Sequence, residues 1–262
     1  MFNKISELLQ DQEKGKFVFE AFSLCHIVYM LSIIGFIVVA YLLLKNKSQE
    51  QKSKAVSTVV SIALGLYALD LFLMPFSEGE ISIVKLPFHI CTLMSIMCFL
   101  SRHTKFFARF KTSFTMMGLI GALMYLTYPS GVSSADGYSY RIVQTVLYHG
   151  LMIAQGVLAL ALGDVKLSWK GSLTDLFCII CMSIWAVMGN VLYGVNTPDG
   201  LDSYNWFFVV EDPFGLFDAK LGQFIMPFGM VAAIFGVNAL IYAIYFGVKK
   251  LNNKGQAELV AE

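Results

Sequence analysis

The chain has 262 residues, of which 57% are hydrophobic and only 14% charged, with a mean hydropathy of +0.67. A water-soluble fold needs about a quarter of its residues charged to cover its outside, so this composition excludes an ordinary soluble domain and points to a chain solvated by lipid. A net charge of +1 and aromatics that lie in apolar runs rather than among basic patches exclude a nucleic-acid partner.

Residues 1–22 form an extracytoplasmic N-terminal segment. Phe2, Ile5, Leu8 and Leu9 fall on one helical face with charges opposite, the pattern of either an interfacial helix or a solvated extension. A spanning helix needs roughly 20 mostly apolar residues to cross about 30 Å of hydrocarbon. Seven stretches meet or approach this within residues 23–248: Ser23–Leu44, Ala55–Phe76, Leu86–Ser101, Phe106–Tyr128, Ile142–Gly163, Leu173–Val195 and Leu221–Val248. The third is short. The expected fold is an all-α, polytopic membrane bundle of about seven transmembrane helices, with residues 249–262 as a tail. Alternate loops carry 13 of the 19 Lys and Arg residues. Short cytoplasmic loops retain positive charge, which predicts an outside N-terminus and a cytoplasmic tail in a multi-pass protein of the cell membrane.

The five cysteines lie in or beside apolar runs, an odd count that argues for free thiols rather than a disulfide framework. Cys178 and Cys181 form a CxxC embedded in LFCIICMSIW, which reads as packing. No ligand cluster suggests a metal, and nothing requires a cofactor. The turn-rich loop GVNTPDGLDSYNWFFVVEDPFGLFD reads as an irregular outer loop or a lid over the helix ends.

Polar groups in the hydrocarbon normally face the bundle interior and mark candidate sites. Counted inward from the outer end of each span at about 1.5 Å per residue, Asp70, Cys91, His149 and Asn190 all fall roughly 7 to 11 Å deep. His26, His89, Gln144 and Tyr193 join this layer, and the cytoplasmic half reads as nearly all apolar. One outward-facing polar cavity is the expectation. Cys91 and His149 are the pair that suggests chemistry, because an imidazole can take a thiol proton. With Pro87 at the first helical position, Cys91 falls in the second turn, beyond most of the helix dipole. Asp70 or Asn190 would orient the imidazole, and His89 would lie behind the pair. Each residue also has a plain structural reading as core packing or an interhelical hydrogen bond.

The run LPFHIC (Leu86 to Cys91), the YPSG turn (Tyr128 to Gly131), YHGLMI (Tyr148 to Ile153) and NWFFVVEDPFG (Asn205 to Gly215) occur in an order that resembles the bacterial YwaF-type integral membrane proteins. These are related to the eukaryotic transmembrane protein 164. The resemblance implies a phospholipid acyltransferase in which Cys91 carries the acyl group as a thioester and His149 acts as base and then acid. It implies membrane lipids as partners, with a lipid and a lysolipid as substrates. Asp70, His89, Asn190 and Asn205 would be the supporting polar residues. The alternatives left open are a transporter or solute-binding protein using Asp70 in an outward-facing cavity, and a non-catalytic membrane partner.

Overall fold

The computed structural model describes residues 17–77, 81–127, 129, 135–197, 200–211 and 217–261. The amphipathic face at residues 2–9, most of the YPSG turn and the DPFG of the outer loop lie outside them. The chain divides into two compact units, Met1–Lys166 and Leu167–Glu262.

The first unit holds five labelled helices: α1 (Leu24–Leu44), α2 (Gln49–Ser77), α3 (Ile90–His103), α4 (Lys111–Thr127) and α5 (Tyr140–Ala161). A single turn at Lys105–Ala108 precedes α4. The second unit holds α6 (Trp169–Tyr193), a hairpin of β3 (Val195–Thr197) and β4 (Gly200–Asp202), a 3-10 turn at Trp206–Phe208, and α7 (Ala219–Ala261). Two short strands of the first unit, β1 (Val18–Phe19) and β2 (Ala135–Asp136), pair antiparallel.

Among the described residues, five helices are long and apolar enough to cross a membrane: Leu24–Leu44, Gln49–Phe76, Tyr140–Ala161, Trp169–Tyr193 and Lys220–Leu251. Helix α1 turns Leu31, Ile34, Val38, Val39 and Leu42 outward. That is a lipid-facing surface, since hydrocarbon solvates such side chains and water does not. The fold is therefore an all-helical, multi-pass membrane protein. Beyond the expected boundary at residue 248, α7 continues as helix to Ala261.

Helix α5 is the axis of the first unit and packs against α1, α2 and α4. Ser139 caps its first turn by accepting from the Ile142 amide. Glycines bring the helices close: a Cβ on Gly156 would meet Leu119 Cβ at 2.6 Å, and one on Gly121 would meet Ile90 Cγ2 at 2.8 Å. The far end of α5 closes on Gly163, whose φ of +72° lets the Asp164 amide reach the Ala159 carbonyl and the Gly163 amide reach Leu160. This cap aims Asp164 at two cations. Its carboxylate accepts from Arg102 Nη1 at 2.8 Å and Lys111 Nζ at 2.7 Å, tying α3, α4 and α5 together.

Helix α3 begins four residues later than the third apolar stretch. Leu86 precedes Pro87, and the proline ring pushes the preceding residue out of helical conformation; its ψ is 152°. A 3-10 turn at Ile83–Lys85 ends at Leu86, and His89 becomes the N-cap of α3. Cys91 is then the second residue of the first turn rather than part of the second turn.

Candidate functional site

In the first unit the chain gathers Cys91, Tyr125, Tyr148 and His149 into one cluster. The sulfur of Cys91 lies 3.4 Å from where a Cβ on Gly121 would stand, so that glycine makes the room Cys91 occupies. Tyr125 is one turn further along α4 and stacks on the His149 ring, with centroids 4.0 Å apart and planes 9° from parallel. Tyr125 is also within electrostatic reach of Cys91. Tyr148 donates its hydroxyl to the Cys91 carbonyl at 2.8 Å and sets its ring edge-on to His149. Cys91 and His149 are each 8% exposed. No hydrogen bond joins the thiol to the imidazole among the described residues.

The tautomer of His149 follows from its partner. Nδ1 lies 2.8 Å from the Thr145 carbonyl, which can only accept, so Nδ1 carries the proton. Nε2 then holds the lone pair, and no described residue makes a hydrogen bond to it. The stack with Tyr125 and the Thr145 bond fix the orientation of the ring. Placement of Cys91 in the first turn of α3 also brings it close to the helix N-terminus.

The remaining candidates separate. Asp70 is bound to Lys85 at 2.8 Å and does not orient His149. His89, as N-cap, is not separated from Cys91 by a helical turn; both it and Lys85 lie within electrostatic reach of His149. His26 bonds the Leu126 carbonyl and the Phe22 amide. Asn190 belongs to the second unit. Its amide nitrogen donates to the Ala186 and Trp206 carbonyls, while its oxygen accepts from Ser203 Oγ and the Trp206 amide. It pins the loop to α6. Asn205, at φ +47°, accepts from the Val210 and Glu211 amides and shapes the turn. Phe207 and Phe208 also have positive φ, so this stretch is held against its backbone preference.

Two features were not read from the sequence. Tyr125 and Tyr148 carry no distinguishing motif, although the spacing of Gly121 and Tyr125 puts both on one helical face. The apolar cytoplasmic half is corrected as well. Gln155 donates to the Thr115 carbonyl in the first unit, and Asp175 bonds Asn238 and Tyr242 in the second. All five cysteines are free of disulfides.

A sequence model of the TMEM164 family matches residues 21–248, nearly the whole span of helices. The chain belongs to the TMEM164 family. No curated protein and no solved structure matches it. Membership in the TMEM164 family agrees with the multi-pass architecture, and the match runs from before α1 into α7.

Proposed function

We propose that this TMEM164-family chain is a phospholipid acyltransferase of the cell membrane that works through a thioester on Cys91. The observation that carries the reading is the state of His149: one nitrogen committed to Thr145, the other unspent, in a ring stacked on the tyrosine that also neighbours Cys91.

In the proposed first half-reaction, His149 Nε2 takes the Cys91 thiol proton as the sulfur attacks the ester carbonyl carbon of a phospholipid. The carbon–oxygen bond breaks, the proton passes to the departing lysophospholipid oxygen, and the acyl group remains on sulfur. In the second half, a lysophospholipid hydroxyl gives its proton to His149 and attacks the thioester carbonyl. The carbon–sulfur bond breaks and the thiol is restored. Substrate binding must draw thiol and imidazole together, as catalytic hydrogen bonds tighten in the Michaelis complex. The ion pair of Asp70 with Lys85 weakens the transporter reading, which needs a carboxylate free to bind solute or ion.

The test incubates purified wild type and Cys91→Ser with phospholipid bearing a labelled acyl chain. Wild type should form an adduct released by neutral hydroxylamine, and Cys91→Ser should form none. A wild type without an adduct, or an unchanged adduct on Cys91→Ser, would overturn the proposal.

A further inference from the structure

A buried carboxylate lies in the second unit, unrelated to the chemistry at Cys91. Asp175 sits about 9 Å along α6 from Trp169, and Asn238 and Tyr242 occupy adjacent turns of α7. Asp175 and Asn238 are 0% exposed and Tyr242 is 1% exposed. One carboxylate oxygen, Oδ2, accepts from Asn238 Nδ2 at 3.1 Å and from the Tyr242 hydroxyl at 2.7 Å. The other oxygen, Oδ1, and the amide oxygen of Asn238 are both buried without a hydrogen bond. Reversing the amide would set oxygen against oxygen, so its orientation is fixed by the carboxylate.

Both unmatched atoms are acceptors. Whatever fills the gap must therefore bring a donor or a positive charge. Among the described residues no Lys, Arg or His forms an ion pair with Asp175. A lone carboxylate in the hydrocarbon region is costly, and an acid placed there between two helices is a site by default only if something neutralises it. Hard oxygen donors favour alkali and alkaline-earth cations over transition metals. One carboxylate balances one charge, and a divalent ion would leave the cluster positive, where such ions are ordinarily held by several carboxylates.

We propose that Asp175, Asn238 and Tyr242 bind a sodium ion, with Asp175 Oδ1 and the Asn238 amide oxygen as ligands. The Tyr242 hydroxyl spends its proton on Asp175 Oδ2, which leaves its own oxygen able to accept. Trp169 stacks on Phe246 at 5.1 Å beside Tyr242, so aromatic rings flank this end of the cluster. The ion would join α6 to α7 by charge where apolar packing otherwise holds them, and it makes the second unit sensitive to sodium whatever the chemistry of the first.

The experiment uses the full chain in detergent. Its Tm is followed as sodium chloride replaces choline chloride at constant pH and ionic strength. Sodium at about a hundred times its Kd should raise Tm by roughly 5 to 10 °C, saturably, and Asp175→Asn should lose the rise. Binding of radiolabelled sodium to wild type, displaced by unlabelled sodium but not by choline, tests the site without a variant. Equal Tm in the two salts with no sodium retained overturns the proposal. So does a stabilisation that follows acidification alone and is removed by Asp175→Asn, because it assigns the carboxylate to a proton. Loss of the sodium effect would leave the Cys91 adduct untouched, so the two proposals fail separately.

Discussion

His26 and His149 are both buried, and each gives one ring nitrogen to a backbone carbonyl, yet they leave the chain with different chemical capacity. At His26, Nε2 donates to Leu126 at 2.7 Å and Nδ1 accepts the Phe22 amide at 2.9 Å, so the ring is saturated and fastens the start of α1 to the end of α4. At His149, a stacked ring holds the orientation and Nε2 is left over. Depth in the membrane does not distinguish the two. Unspent hydrogen-bonding capacity does, and the same test sets Asn190 and Asn205, whose side-chain bonds are committed to the loop, apart from the Cys91 cluster.

The sharpest way to break this comparison is to exchange the readouts. His149→Ala should lower acyl transfer by roughly 10²- to 10⁴-fold in the protein that remains folded, whereas His26→Ala should lower Tm and spare transfer in the protein that remains folded. Comparable losses of transfer from both variants, at matched Tm, would dissolve the distinction.

Asp164 is the extreme of a committed side chain. Burial opposes its ionisation, but Lys111, Arg102 and Ser53 outweigh burial and hold its carboxyl below the ordinary value. The stability it contributes is therefore complete above the ordinary carboxylate range and is lost as pH falls through the depressed folded value. Asp164→Asn strands the Arg102 charge and should cost about 3 to 5 kcal/mol. It should also flatten the acid limb of a plot of Tm against pH; an unchanged acid limb would show that other carboxylates set it.

Smaller effects are expected in the loop. Asn190→Ala removes four hydrogen bonds and should destabilise by roughly 2 to 4 kcal/mol, seen as faster proteolysis between α6 and α7. Asn205→Ala should cost about 1 kcal/mol more than Asn205→Gly, since both lose the side-chain bonds but only alanine resists the left-handed backbone. Equal costs would mean that the bonds, and not the backbone, carry the position.

Apolar run length locates the helices because the bilayer imposes a length, so residues 23–248 were legible at the level of spans. Boundaries were less so: Pro87 satisfies the rule for a first helical residue, while its effect on Leu86 delays α3 to Ile90. Cys91 and His149 were legible as polar groups in apolar runs. Tyr125 was not, because its role is a stacking geometry between residues 24 apart. Asn190 was misjudged for a related reason, since its partners arrive only when Ser203 and Trp206 fold back onto α6. Asp175 was visible as an acid in an apolar run, and reckoning depth from the outer ends alone concealed it.

The pairing of β1 with β2 also constrains how the chain is threaded. Two strands that hydrogen-bond must emerge on one side of the bilayer, so the chain crosses an even number of times between Phe19 and Ala135. Lys111 and Asp164 are likewise joined and share a side, so α4 and α5 cross together or not at all. Were α1, α2 and α5 to cross, as their length allows, α4 would have to cross with α5, and α3 would have to cross to keep the earlier number even. Parity thus gives the two short helices the same status as the long ones.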